Sequence, residues 1–141
     1  PTRKTSANNP KNPPKMTEDQ IKNLRKDTDG LLTYEFLANH IGESTPSDID
    51  ELIDNMITVD LTGQFLASAA RYLHAIDAEG YAPAIRRLVA AAIDKDREHN
   101  YLPDLITGLY GADYASRAEQ LCASDDNFRR LYKRLCPTSP L

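Results

Sequence analysis

The chain of 141 residues has no tryptophan, two methionines, two cysteines and six scattered glycines. Each scarcity removes a class of function. Two cysteines, Cys122 and Cys136, are too few for a disulfide framework; Cys136 continues an apolar helix face, which favours buried thiols over a bridge. No Gly-Lys-Ser/Thr follows any glycine, so the loop that cradles phosphates is missing, and no serine stands in a Gly-x-Ser-x-Gly elbow. No stretch approaches the roughly 20 apolar residues of a membrane span, and the polar start lacks the apolar centre of a secretory signal. These readings lead us to expect a cytoplasmic protein without membrane partners.

Histidine is equally sparse. His40, His74 and His99 stand alone, and none forms the His-x-x-x-His pair that sets two imidazoles on one helix face. The run Asp94, Asp96, Glu98, His99 reads as a charged, frayed helix end rather than a ligand cluster. We therefore expect no metal, no cofactor and no catalytic residue, and lean away from an enzyme.

What the chain does have is uneven charge on helical periodicity. Residues 1–15 carry Arg3, Lys4, Lys11 and Lys15, no acid and four prolines, and read as a flexible basic tail of net +4. Residues 16–58 hold ten acids against three bases, net −7. The remainder, 59–141, is nearly balanced, with eleven acids and ten bases. We expect a single domain over 16–141 with a candidate subdivision near 58–60, and the acidic segment gives the tail a partner within its own chain.

The ordered part reads as about eight helices. Thr17-Glu18-Asp19-Gln20 is a capping box. Thr33 is expected to cap a short helix over 33–41 that Gly42 closes in a left-handed conformation. Ser44-Thr45-Pro46 starts the next, with Ile49, Leu52, Ile53, Met56 and Ile57 as its buried stripe. The best-defined pair covers 61–77 and 82–98. Leu61, Phe65, Leu66, Ala69, Leu73 and Ile76 trace one apolar face, and Ile85, Leu88, Val89, Ala92 and Ile93 trace the other. Ala-Ile-Asp occurs at 75–77 and again at 92–94, a hint of stacked hairpins too weak to count as a repeat. Further helices are expected over 100–110 and 112–122, then one capped by Ser124 in which Phe128, Leu131, Tyr132 and Leu135 are spaced for burial. No segment alternates as a half-buried strand would. The fold class is all-α, as a compact helical bundle or a short stack of helical hairpins.

Two short stretches look in part like known binding motifs. Asp27-Thr28-Asp29-Gly30 through Phe36 is similar to an EF-hand loop, but that register puts Arg25 and Phe36 where two principal carboxylates belong. Residues 33–54 resemble a helix-turn-helix, yet the second helix opens with Asp48, Asp50, Glu51 and Asp54 and no base, a face that repels phosphate. The leading expectation is thus a non-enzymatic protein–protein interaction module: an adaptor, immunity-type or assembly subunit that binds another protein or itself. A DNA-binding regulator using 33–54 is the alternative, disfavoured by the acidic 44–54 segment. Candidate partner-binding residues are Tyr101, Tyr110 and Tyr114, since tyrosine is enriched at contacts, and the cations Arg129, Arg130, Lys133 and Arg134 of the last helix.

Overall fold

A computed structural model describes residues 16–141; the basic tail expected over 1–15 lies outside the described residues. Eight α-helices and two 3-10 turns make up the described chain, with no strand among the described residues. They are α1 (Glu18–Arg25), α2 (Leu31–His40), α3 (Pro46–Val59), α4 (Gln64–Asp77), α5 (Ala82–Lys95), α6 (Leu102–Tyr110), α7 (Ala118–Ser124) and α8 (Asp126–Leu135). The 3-10 turns cover Ile41–Glu43 and Tyr114–Arg117.

Helix starts follow local chemistry where the expected caps are real. The side chains of Thr17 and Thr45 each accept a hydrogen bond from the amide of the third helical residue, whose own side chain accepts one from the cap's backbone N–H. Elsewhere the caps differ from expectation. Helix α2 begins two residues before Thr33, after Gly30 in a left-handed conformation, and Thr33 is fully buried in its first turn. Gly42 is not left-handed: among described glycines only Gly30, Gly63 and Gly111 have positive φ. The last helix is capped by Asp125, which accepts from the Phe128 amide, while Ser124 bonds back to Gln120.

The turns before α2, α4 and α6 share one construction, which makes the fold a repeat. Each starts with a buried aspartate: Asp27, Asp60 and Asp96. Asp27 accepts from the amides of Asp29, Gly30 and Thr33 and from the Thr33 hydroxyl. Asp60 accepts from the amides of Thr62, Gly63, Phe65 and Leu66. Asp96 accepts from Asn100, Tyr101 and Leu102. Three residues after each aspartate the backbone is left-handed, at Gly30, Gly63 and His99 (φ 107°, 89° and 57°). One carboxylate thus closes a tight turn and takes up amides that a helix N-terminus leaves without partners. Burial pushes the Asp27 carboxyl up, but its bonds from Thr33, Gly30 and Asp29 outweigh this and hold it below its ordinary value.

A pair of helices follows each of the first two turns, the third is followed by α6, α7 and α8, and equivalent helices stack. Helices α2, α4 and α6 lie side by side in one layer; α1, α3, α5 and α8 form the second. Of the two architectures left open by the sequence, the stack of hairpins is the one observed. The first two units begin 33 residues apart and the next two 36 apart, mainly because α4 has fourteen residues where α2 has ten. The Ala-Ile-Asp echo does not mark the repeat, since it falls on a first-layer helix and then on a second-layer helix.

The second layer is stitched at its C-terminal ends. Asn55 of α3 donates to the Leu24 carbonyl of α1 (2.8 Å). Lys95 of α5 donates to the Ile57 and Asp60 carbonyls at the end of α3. Arg134 of α8 donates to the Ile93 carbonyl of α5 (3.0 Å). Each side chain satisfies carbonyls that a helix C-terminus leaves open, and does so across a unit boundary. The core between the layers holds Leu37, Leu52, Ile53, Met56, Leu66, Leu73, Leu88, Ile93, Leu105 and Phe128, all fully buried.

The stack also corrects the ends of the strongest expected stripe. Helix α4 starts at Gln64 because Gly63 is left-handed, so Leu61 sits on the turn, 75% exposed, and Ile76 is 46% exposed. Helix α5 stops at Lys95 because Asp96 begins the next turn; Asp96 is buried, not part of a frayed end. Both cysteines are free and half-buried against the core.

Candidate functional site

The third unit breaks the pattern. In units one and two the connection between paired helices is short, residues 41–45 and 78–81. Between α6 and α8 it runs from 111 to 125 and includes a 3-10 turn and α7. Three contacts hold this insertion. Arg117 donates to the Tyr110 carbonyl and pairs with Asp113 (3.2 Å). The Tyr110 hydroxyl donates to Asp125 (2.8 Å), whose other oxygen caps α8. Tyr110, Tyr114, Phe128 and Tyr132 form an aromatic cluster, with Tyr110 edge-on to Phe128 at 5.0 Å between ring centres. Burial, then the bond to Asp125 and its charge, push the Tyr110 hydroxyl well above the ordinary tyrosine range.

Between this insertion and the tip of the second hairpin lies a groove of about 910 Å³, open to solvent. Its floor is apolar, with Ala82, Ile85, Val89 and Ala90 from α5 and Leu109 from α6. Tyr110, the Ser124–Asn127 junction, His74 and Arg86 also line it. The Asn127 side-chain amide donates to the Arg86 carbonyl (3.1 Å), so the start of α8 is tied to α5 beside the groove. Cavities of 300–1,000 Å³ with an apolar floor and a few placed polar groups are the usual form of binding sites.

The rim charges are largely committed. Arg87 pairs with Asp50 and Asp54 of α3. Asp126 pairs with Arg129 (2.5 Å). Asp125 is held by Tyr110 and the α8 backbone. Arg86 is exposed and has no ion-pair partner among the described residues.

The residues singled out from the sequence are dispersed around this site. Tyr110 lines the groove, and Tyr114 supports its wall through Phe128 and Tyr132. Tyr101 lies at the third turn, where its amide bonds Asp96 (2.7 Å). Arg129 is paired within α8, Arg130 ties α8 to Asp94 of α5 (2.7 Å), and Arg134 makes the Ile93 stitch; Lys133 is exposed. Arg86, Ala90, Asp125 and Asn127 were not anticipated. The long interval between Tyr110 and Phe128 was the available signal, masked because 112–122 reads as one more helix.

The two motif-like stretches have other work in the fold. Every polar contact of Asp27 is the turn described above. No group of three or more His, Cys, Asp or Glu side chains converges as a metal site among the described residues. In segment 33–54, Asp48 is buried as part of the Thr45 cap, and Asp50, Glu51 and Asp54 are exposed. No helix among the described residues is long and apolar enough to cross a membrane. No family profile, curated protein or solved structure matches this chain.

Proposed function

We propose that the chain is a protein-docking module of the adaptor or assembly type, and that the groove beside the third-unit insertion is where its partner binds. The observation that carries this is the insertion itself. Two units keep a minimal connection, and the third adds a structured segment whose last residues, Ser124 and Asp125, line the groove. In repeat architectures insertions collect on one face, often the binding face, while the regular units act as scaffold. Rigid positioning supports the same reading: Asn127, Tyr110 and Asp125 hold both sides of the groove in place. The ionisable groups Tyr110 and Asp125 satisfy each other and a helix N-terminus, which suits a surface that binds more than one that transfers protons. The partner is another protein, met in the cytoplasm, where Cys122 and Cys136 stay free thiols.

The test is Ala90→Trp, which fills the groove from a half-buried position on α5. Wild type and variant are immobilised and incubated with extract of the source cells, and retained proteins are quantified by mass spectrometry. A protein enriched on the wild type and lost on a variant of unchanged helicity supports the proposal. Identical retained sets on both would contradict it.

A further inference from the structure

Separately from the groove, we infer that the open edge of unit one docks a partner's helical hairpin whose turn carries a left-handed glycine, and that His99 keeps the chain's own last turn from filling that place. The interface between units defines the occupant. Phe65 stands five residues after Asp60 and covers the turn of unit one, where a Cβ on Gly30 would meet its ring at 3.1 Å. The same ring packs beside Tyr34 of α2, with 6.2 Å between centres. Leu32 holds the equivalent position in unit one, five residues after Asp27. No unit precedes it among the described residues, and Leu32 is 53% exposed beside Leu31 at 41%. Repeat stacks seal such an edge with a polar capping face, and two leucines leave this one open. What Leu32 lacks is the glycine turn of a preceding unit, the surface on which Phe65 already packs.

The other end of the ladder is closed by a side chain. Both earlier turns use glycine where the next unit approaches: a Cβ on Gly63 would lie 3.2 Å from both the Ala92 carbonyl oxygen and Asp96 Cβ. The last turn places His99 there, at φ 57°. A left-handed backbone is unfavourable for any residue that carries a Cβ. Among the described residues His99 bonds only through its amide, to the Asp96 carbonyl (3.2 Å), so the imidazole does not hold the turn. Strain kept without a local contact to offset it points to a role outside the turn. At the surface a fourth unit would cover, a side chain stands where Gly30 and Gly63 admit the neighbouring turn. Head-to-tail contact between copies would otherwise grow without closing. His99 prevents it, and Leu32 stays available to a partner.

The full chain itself supplies the probe, because His99→Gly gives its last turn the glycine that the open edge accepts. Sedimentation from about 1 to about 300 μM spans micromolar dissociation constants. Wild type should keep its monomer mass throughout. His99→Gly should exceed about twice that mass at the top of the range, since a head-to-tail contact does not close. Its ¹⁵N–¹H spectra should shift with concentration at amides near Leu32 and near position 99. Adding Leu32→Glu to that variant should return it to monomer. His99→Asn, which tolerates the left-handed backbone but keeps a Cβ, should stay monomeric. A His99→Gly variant that stays monomeric would overturn the inference. Equal assembly of His99→Asn would overturn the need for glycine in the docked turn. A wild-type dimer abolished by Leu32→Glu would overturn the occupant in favour of a second copy paired edge to edge. The groove is tested apart from all of these, by Ala90→Trp.

Discussion

Gly30 lies against Asp60: a Cβ on that glycine would come within 3.1 Å of the aspartate's own Cβ. The relation recurs one unit on, where a Cβ on Gly63 would meet Asp96 Cβ at 3.2 Å. The left-handed residue of each of the first two turns is therefore packed on the capping aspartate of the next. The turns form a ladder, in which Asp60 and Asp96 each hold both their own helix start and the preceding turn.

Substitution of the three aspartates should cost most at Asp60. Asp60→Ala removes an acceptor for four amides in the central unit and should cost about 3 kcal/mol; Asp27→Ala and Asp96→Ala should cost about 2 kcal/mol each. Urea denaturation of the three variants measures this. Equal losses below about 0.5 kcal/mol would mean that the ladder does not hold the stack.

Among the described residues His99 is the one non-glycine with a left-handed backbone, at φ 57°. A side-chain-bearing residue there costs about 1 kcal/mol relative to glycine. His99→Gly should therefore stabilise the chain by about that amount, read as a higher thermal midpoint. A loss of stability would show that the imidazole contributes more than its backbone strain costs.

This turn also explains what the sequence could and could not reveal. Asp-x-x-Gly stands at 27–30 and 60–63, but Asp96-Arg97-Glu98-His99 hides the third copy, and the extra turn of α4 shifts its spacing. Helix identity, the buried stripes of α3 and α5, and the Thr17 and Thr45 caps were legible because each depends on neighbours within one or two turns. Layer order, the Lys95 and Arg134 stitches and the groove were not, because each joins residues 35 to 41 positions apart. Tyr110 was legible as a contact residue. That its contact is Asp125 of the same chain depended on the course of the insertion.

The Asp27 carboxyl is held below its ordinary value in the folded chain, so the folded state prefers it ionised. Its contribution is fully present above the unfolded value of about 3.9 and is lost as pH falls through the lower folded value. Denaturation between neutral pH and acid should show stability falling below about pH 4, and Asp27→Asn should flatten part of that fall. An unchanged acid limb in the variant would remove Asp27 from the explanation.

Tyr110 has the opposite sign. Its hydroxyl is held above the ordinary range, so the folded state prefers it neutral. That preference is fully present below about pH 10 and is lost as pH rises through the folded value. Alkaline unfolding should begin above about pH 10, and Tyr110→Phe should cost about 1 kcal/mol at neutral pH while reducing the alkaline loss. Ultraviolet titration of tyrosinate checks this directly; a Tyr110 that ionises in the ordinary tyrosine range would contradict the half-buried Asp125 bond.

The claim on which function rests is that a partner protein occupies the groove between α5 and the third-unit insertion. The most direct measurement places a photoreactive residue at Ala90, in the groove, or at Asn23, on the exposed face of α1, and maps the adducts formed in the source cells. A defined protein adduct from position 90 and none from position 23 is the predicted result. Equal labelling from both positions, or a specific adduct from position 23 alone, would contradict it.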